Sequence, residues 1–308
     1  MNNPYRPPAQ NRATPLLALT AACCAGVLWG SGALVVNLLI AEHGFTAQNI
    51  SFWRFFIGAV VLLLIFGRAL RWQRLRPLIW TVLLAGSAMA GYVLLWFLGI
   101  ARMGAAVPTL IALCLPPVIV TVLAVLRGQE RGDDALYLML GGALLGTFMI
   151  VLEHGADSGE VATRDTLLGV LFSVGSALLY ACFTLVSGKL SNALGAGPAT
   201  ACLTITAATV TGVFAINQPY LWPQDLPPQA WFLYLGVITA ALALLAFSWG
   251  AARLSATALT VATLLEPLTA VALAALLLNQ QLSPLQWLGG ALLLVSIWLL
   301  GKRTAAKG

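Results

Sequence analysis

Glu266 is a carboxylate placed deep within a long apolar stretch of the sequence. An ionisable side chain near the centre of a bilayer costs a few kcal/mol, so it normally faces a cavity or a partner. Such an acid could exchange a proton in a proton-coupled carrier, or it could contact an ammonium group. The alternatives are a helix-end residue and a structural acid hydrogen-bonded to hydroxyl groups such as those of Thr263 or Thr269.

Prolines interrupt two apolar stretches at related places. Pro108, Pro116 and Pro117 lie in one stretch, and Pro267 follows Glu266 in the other. Proline lacks an amide N–H, so it disturbs a helix and frees a carbonyl group one turn earlier. Breaks in corresponding helices indicate a binding site in transporters, so these four residues are predicted hinges. Merely tolerated kinks are the alternative.

Aromatic side chains could form the wall of a binding cavity. Tyr92 and Trp96 are four residues apart, so they share one face of a helix. Other predicted helices contribute Trp29, Tyr180, Phe183 and Trp249. A cavity walled by rings suits an apolar or aromatic substrate, and these six residues with Glu266 are the predicted substrate-binding residues. Each ring by itself could instead face lipid or pack between helices.

Three arginines near segment ends are predicted to have structural roles. Arg54 lies near the start of its apolar stretch, so its long side chain can reach the outer interface and tie helix ends together. Arg102 and Arg253 lie in tight turns between apolar stretches, where we expect them to cap helices and mark topology.

Catalytic and metal-binding motifs are absent from the sequence. It contains no phosphate-cradling Gly-x-x-x-x-Gly-Lys-Ser/Thr motif, and the only histidines, His43 and His154, fall in predicted external loops. The five cysteines lie inside apolar stretches without the spacing of metal ligands. We therefore expect no catalytic residues, no metal and no cofactor. An intramembrane enzyme is a distant alternative.

The elements that must position these residues follow from the composition. Of 308 residues, 60% are hydrophobic and only 8% are charged, too few to cover a soluble protein. The apolar residues form blocks of about 20, the length of a membrane-spanning helix, without the alternation of a β-barrel. The sequence thus predicts an all-α membrane protein. Its ten transmembrane helices are predicted at 16–40, 48–69, 77–100, 104–127, 134–152, 166–188, 197–216, 228–251, 256–278 and 284–301.

The distribution of basic residues predicts the orientation. If the N-terminus lies in the cytoplasm, thirteen of the sixteen Lys and Arg residues fall on the cytoplasmic side. Both termini are therefore expected inside, as tails 1–15 and 302–308, with 153–165 as an external loop. The basic residues sit at segment ends and form no stripe, so nucleic acid is not an expected partner.

The chain also repeats itself. After a shift of 151 residues, Gly99-Ile-Ala-Arg102 falls on Gly250-Ala-Ala-Arg253, and Pro116 falls on Pro267. We infer two five-helix repeats, 16–152 and 166–301. Because five is odd, the second repeat enters the membrane from the opposite side, which predicts inverted repeats around a central cavity.

Several short motifs occur in a characteristic order and spacing. They are Trp29-Gly30-Ser31, Phe52-Trp53-Arg54-Phe55, Ala101-Arg102 with Pro116, Ala252-Arg253 with Glu266-Pro267, and Gly-Gly-Ala-Leu-Leu closing each half. With these motifs the sequence resembles the drug/metabolite transporter superfamily in its ten-span EamA-type branch, over nearly the whole chain. Within that branch it is most similar to the YddG-type exporters of aromatic amino acids. It departs from the family pattern at Gln281, where an acid would match Glu130.

The resemblance implies a basket of helices around a cavity lined by helices 1, 3, 4, 6, 8 and 9. The expected function is a secondary transporter in the bacterial inner membrane that exports aromatic or bulky neutral amino acids, or related metabolites, by alternating access. A drug or other metabolite carrier of the same superfamily and an uncoupled, channel-like facilitator are the alternatives. The expected partners are a small-molecule substrate and membrane lipid, and the expected oligomeric state is a monomer.

Overall fold

The computed structural model describes residues 13–103, 106–152, 163–214, 221–277 and 283–307, and the regular structure in these ranges is helical. The main helices are α1 (Ala13–Ala41), α2 (Ala47–Phe66), α3 (Ile79–Met103), α4 (Ala106–Leu126), α5 (Asp134–Leu152), α6 (Thr163–Leu194), α7 (Ala196–Phe214), α8 (Pro228–Ala251), α9 (Ala256–Leu277) and α10 (Pro284–Lys307). A short helix, Trp72–Leu75, lies between α2 and α3.

The helices have the length and polarity that a membrane requires. Within the described ranges, nine are long and apolar enough to cross a bilayer, and the apolar part of α10, Pro284–Leu300, is shorter. The predicted all-α membrane fold with ten helices is confirmed. Helix α6 is longer than its predicted span, and at 32 residues it extends about 48 Å, well beyond the bilayer core.

Local capping sets several helix ends. The Thr46 hydroxyl accepts a hydrogen bond from the Asn49 amide at the start of α2, and Ser255 accepts one from Ala258 at the start of α9. A single residue, Gly195, separates α6 from α7, and its φ of +90° is a conformation that glycine adopts without strain.

Arg102 and Arg253, which lie in matching turns of the two halves, make the same kind of hydrogen bond. Arg102 donates a hydrogen bond from Nη1 to the Leu98 carbonyl at the end of α3 (3.1 Å), and Arg253 does the same to Trp249 at the end of α8 (2.9 Å). Both therefore satisfy a carbonyl in the last helical turn. Their predicted capping role is confirmed.

Packing between the halves is pseudo-symmetric. Helix α3 packs on α6 as α8 packs on α1, and α4 packs on α6 as α9 packs on α1. The corresponding helices α2 and α7 contact each other, as do α5 and α10. The α5–α10 pair is antiparallel, because Gly142 meets Ser296 while Gly146 meets Gly289. The structure thus has the inverted repeat predicted from the sequence.

Small residues allow the closest helix contacts. A Cβ added to Gly26 would lie 3.0 Å from the Thr263 carbonyl oxygen, and one added to Gly30 would overlap the carbonyl of Glu266. On α5, a Cβ at Gly146 would lie 2.6 Å from the Gly289 carbonyl oxygen. Gly26 and Gly30, like Gly142 and Gly146, have the Gly-x-x-x-Gly spacing that permits close helix packing, and they serve that role here.

One end of the bundle holds the start of α1 and the end of α10, and we call it the terminal end. There Gly250, at the end of α8, packs against Ala18 of α1. Arg303 of α10 forms an ion pair with Asp133, which precedes α5. The α4–α5 and α8–α9 connections therefore also lie at the terminal end.

Candidate functional site

A cavity with an empty volume of about 570 Å³ lies between the two halves. Residues of α1, α2, α3, α4, α6 and α9 line it. The family resemblance implied α8 in place of α2, so the lining differs from that expectation by one helix. We call this space the central cavity.

Four of the six predicted aromatic residues line the central cavity, namely Trp29, Tyr92, Trp96 and Tyr180. The Trp96 indole donates a hydrogen bond to the Thr109 hydroxyl (3.1 Å), and the Tyr180 hydroxyl pairs with Thr263 (3.2 Å). Tyr92 meets Tyr180 edge to face, with ring centroids 5.1 Å apart. These contacts fix the rings in place, which leaves their exposed surfaces to form the wall.

Trp29 is held by an irregular part of α8. The segment Leu235–Leu242 is π-helical, and the Trp29 indole donates a hydrogen bond to the Thr239 carbonyl within it (3.0 Å). A π-helical segment is wider than an α-helix, and such segments are often found at functional sites. The composition of this segment matches that of an ordinary apolar helix, so the sequence does not reveal it.

The other two predicted rings lie outside the cavity lining. Phe183 is 1% exposed and stacks on Phe247, with centroids 5.4 Å apart, in the core behind Tyr180. Trp249 lies in the last turn of α8, where the Arg253 guanidinium sits 4.0 Å from its ring centre. The structure therefore brings these two residues to packing and capping positions rather than to the cavity wall.

Glu266 lines the central cavity at a break in α9. The helix is interrupted at Leu264, between Ala256–Thr263 and Leu265–Leu277, immediately before Glu266 and Pro267. The hydroxyls of Thr263 and Thr269 donate to backbone carbonyls, of Thr260 and Leu265 respectively. Neither hydroxyl therefore donates a hydrogen bond to the Glu266 carboxylate. The structural alternative for Glu266 required such a bond.

The three prolines of α4 occupy two different settings. Pro116 and Pro117 lie inside a continuous helix, and they deprive the carbonyls of Ala112 and Leu113, two cavity-lining residues, of their usual amide partners. Pro108 lies in the first turn of α4, where a missing N–H has no cost. It was predicted to interrupt the helix, and it does not.

Arg54 lies in a different place from the one predicted from the sequence. It was expected at the outer interface, yet it lines the central cavity. Its Nε is buried and has no hydrogen-bond partner among the described residues. The charge itself was a usable signal, because a basic residue inside a span, like an acidic one, normally faces a cavity or a partner.

A second pocket, the terminal pocket, opens at the terminal end. Its lining includes Glu130, Lys189 and Arg253, and its empty volume is about 950 Å³. Gln281, the position that matches Glu130 in the second half, lies outside the described residues.

Two pairs of hydroxyl groups lie near the boundary between the two spaces. The hydroxyl oxygens of Thr121 and Thr257 are 3.1 Å apart, and those of Tyr180 and Thr263 are 3.2 Å apart. One turn beyond Tyr180, Thr184 already lines the terminal pocket. We call Thr121, Tyr180, Thr257 and Thr263 the hydroxyl layer.

Metal-binding groups are not assembled in the part of the chain that the structure describes. In those ranges, no three His, Cys, Asp or Glu side chains come together in a way that could hold an ion. The central cavity instead offers aromatic surfaces, one cationic group and one carboxyl group. This set can bind and orient a small molecule.

Comparison with known proteins agrees with this architecture. The model of the EamA-like transporter family matches residues 16–152 and 167–302. The uncharacterized transporter YwfM of Bacillus subtilis (strain 168) is 30% identical over 89% of this chain and 90% of its own. The uncharacterized transporter sll1319 of Synechocystis is 28% identical over 73% of this chain and 67% of its own.

A solved crystal structure shows the same fold. It superposes with a TM-score of 0.77 over 92% of this chain and 96% of its own, at 21% identity. The named relatives are transporters rather than enzymes. With both halves matched by the family model, this chain belongs to the EamA-like transporter family of the drug/metabolite superfamily.

Proposed function

We propose that this chain is a secondary transporter that exports amino acids with aromatic or bulky neutral side chains by alternating access. The observation that carries the proposal is the central cavity, where Trp29, Tyr92, Trp96 and Tyr180 stand beside one cationic and one acidic side chain.

The electrostatic character of the cavity favours a small, nearly neutral solute. Arg54 and Glu266 contribute one cationic group and one ionisable carboxyl group to the lining. A polyanionic substrate would need several arginines or lysines to replace its lost hydration. An amino acid carries one carboxylate and one ammonium group, so it matches the two cavity charges in number and sign.

The arrangement of the two spaces supports alternating access. The central cavity and the terminal pocket lie on either side of the hydroxyl layer, and both α4 and α9 contain prolines near that layer. We propose that Pro116, Pro117 and Pro267 act as hinges, because the missing backbone hydrogen bonds let these helices bend at low cost. Pro108, in the first turn of α4, fits this role less well.

The charge distribution supports a particular placement in the cell. We propose that the chain lies in the inner membrane as a monomer, with both termini in the cytoplasm and with 16–152 and 166–301 as its two repeats. The terminal end carries the basic residues of the α2–α3 and α4–α5 connections and of the end of α10, as cytoplasmic ends usually do. The terminal pocket would then face the cytoplasm.

The experiment is a counterflow assay with purified protein in liposomes. The vesicles are loaded with one unlabelled solute and exposed to its labelled form, for phenylalanine, tryptophan, leucine and glycine, with and without a pH gradient. A carrier gives a saturable, transient accumulation of label, and we expect it for the first three amino acids. Absence of accumulation for all four amino acids would favour a carrier of drugs or other metabolites. Entry of label without counterflow would indicate a facilitator.

A further inference from the structure

We propose that Arg54 is the anion-binding residue of the central cavity and receives the carboxylate of the transported amino acid. This inference rests on the proposed function and deepens it, since it makes an unmodified carboxylate a requirement for substrates. Arg54 is the one described residue of α2 in the cavity lining, and the lining contains no other basic side chain among the residues that the structure describes.

The guanidinium group of Arg54 has a buried nitrogen atom without a partner among the described residues. Among the residues that the structure describes, the buried Nε atom of Arg54 has no hydrogen-bond partner, and no carboxylate lies within ion-pair distance of this arginine. Taking a cation out of water is costly unless a partner replaces the lost hydration. A group that remains charged and unpaired beside an open cavity is therefore placed to receive its partner from a ligand.

The guanidinium group of Arg54 also lies near an aromatic ring. It lies 5.7 Å from the centre of the Phe55 ring, on the same helix. Arginine carries five N–H donors in a planar fork that matches the two oxygens of a carboxylate. A contact between the guanidinium group and an aromatic ring uses none of the N–H donors for a hydrogen bond. The fork thus stays available for a bidentate contact.

The central cavity also holds an ionisable carboxyl group. Glu266 lines the same space from α9 and interacts electrostatically with Arg54, although the two form no salt bridge. A ligand with both a carboxylate and an ammonium group can satisfy both residues at once. A ligand with only one of these groups leaves the other residue buried and unpaired, which is the costly case.

The aromatic wall completes the selection. Tyr92 and Trp96 share a face of α3 and line the cavity together with both charged residues. Helix α3 contacts both α2 and α4, and Arg54 shares the cavity with Tyr92 and Trp96, so a ligand anchored at Arg54 can place its side chain against these rings. The class of ligand is therefore a free α-amino acid with a large apolar side chain, as distinct from its amide, its ester or the decarboxylated amine.

The test compares phenylalanine with phenylalanine amide and phenethylamine as competitors of labelled phenylalanine counterflow. In the unaltered protein, we expect phenylalanine to compete at least about tenfold better than either analogue, the effect of one charge-assisted hydrogen bond or more. In Arg54→Gln, we expect the three competitors to become nearly equal. In Arg54→Lys, part of the preference should return, because the charge remains while the bidentate geometry is lost.

The controls separate a binding role from a structural one. Arg102→Gln removes a guanidinium that caps α3 outside the central cavity, so it should leave the preference for the carboxylate unchanged. If Arg54→Gln does not fold, the thermal stability of the unaltered protein gives an independent reading. Phenylalanine should then raise the apparent Tm, and phenylalanine amide at the same concentration should not.

The possible outcomes distinguish this inference from the proposed function. Counterflow of phenylalanine with the carboxylate preference intact in Arg54→Gln would overturn the role of Arg54 and leave amino acid transport standing. Equal stabilisation of the unaltered protein by phenylalanine and its amide would do the same. Absence of counterflow for every amino acid in the unaltered protein would overturn the proposed function, and the role of Arg54 with it.

Discussion

Glu266 and Arg54 differ from the other charged side chains because both are placed inside the bundle, where water is scarce. Each lines the central cavity, and the described residues supply neither with a salt-bridge partner. Buried ionisable groups are costly, so a sequence keeps them where a ligand or a proton supplies the missing partner. The two residues are therefore the first to alter in functional tests.

Replacement of Glu266 by glutamine should slow amino acid transport by about tenfold or more, the effect of losing one charge-assisted contact. Because the carboxyl group can release a proton and the amide cannot, transport by the variant should also lose its dependence on pH. The measurement is the initial rate of labelled phenylalanine counterflow at several pH values. Asp165→Asn, an exposed acid at the start of α6, is the control. Unchanged rates at every pH would remove Glu266 as a coupling residue.

Replacement of Trp96 by alanine should weaken transport of aromatic amino acids more than that of small ones. The indole forms part of the cavity wall and is fixed by Thr109, so its loss removes ring contacts and leaves a void. We expect the KM for tryptophan to rise about tenfold and that for glycine to change little. Trp287→Ala, a ring 68% exposed on α10, is the matched control. An equal loss for both substrates would indicate a folding defect.

At the scale of the elements, sequence patterns predict helices well and their rotation poorly. The ten spans follow from apolar length alone, which is why their limits agree with the helices to within a few residues at most ends. Whether a ring faces the cavity depends on how each helix is turned against its neighbours. Trp29 and Tyr180 face the cavity, whereas Phe183, three residues beyond Tyr180, faces the core. No periodic pattern distinguishes these positions, because both faces of such a helix are apolar.

The break in α9 shows the same limit. Pro267 predicts a disturbance of the helix, and the structure places the break at Leu264, where α9 packs closely against α1. There, Gly30 allows the Glu266 carbonyl to approach the α1 backbone. The proline was visible in the sequence, whereas the close approach of the two helices needed the assembled structure.

Replacement of Gly30 by alanine should therefore destabilise the protein and displace Glu266. The new Cβ would overlap the Glu266 carbonyl and lie 2.7 Å from Thr269 Cβ, so α1 and α9 would have to separate. Overpacking of this kind costs about 2 kcal/mol. The apparent Tm in detergent should fall by several degrees. In Gly141→Ala the added methyl group meets nothing within 4 Å, so that variant should retain the Tm of the parent. A similar Tm for both variants would contradict the argument.

On the scale of the whole molecule, the inverted repeat makes the two ends of the bundle similar in backbone and different in side chains. The hydroxyl layer lies on the terminal side of the central cavity, where Thr121 meets Thr257. A shift of 151 residues matches these threonines to Ala272 and Ala106, which have no hydroxyl groups. The bond between α4 and α9 at the terminal end thus has no counterpart of the same type at the other end. We expect the equilibrium between the state open at the terminal end and the state open at the other end to depend on the Thr121–Thr257 bond.

Removal of the hydrogen bond between Thr121 and Thr257 should shift the protein towards a state open at the terminal end. In Thr257→Val the side-chain volume is nearly kept while the hydrogen bond to Thr121 is lost, which raises the population of the open state by about fivefold for a typical net hydrogen bond. The measurement uses Ser176→Cys, a cavity position, in a protein whose five native cysteines are replaced. A membrane-impermeant thiol reagent applied from the terminal side should label this cysteine faster in the variant. Thr204→Val removes a buried hydroxyl that bonds within α7, so it is the matched control. Equal labelling rates with and without Thr257→Val would show that the hydroxyl layer does not hold the terminal end closed.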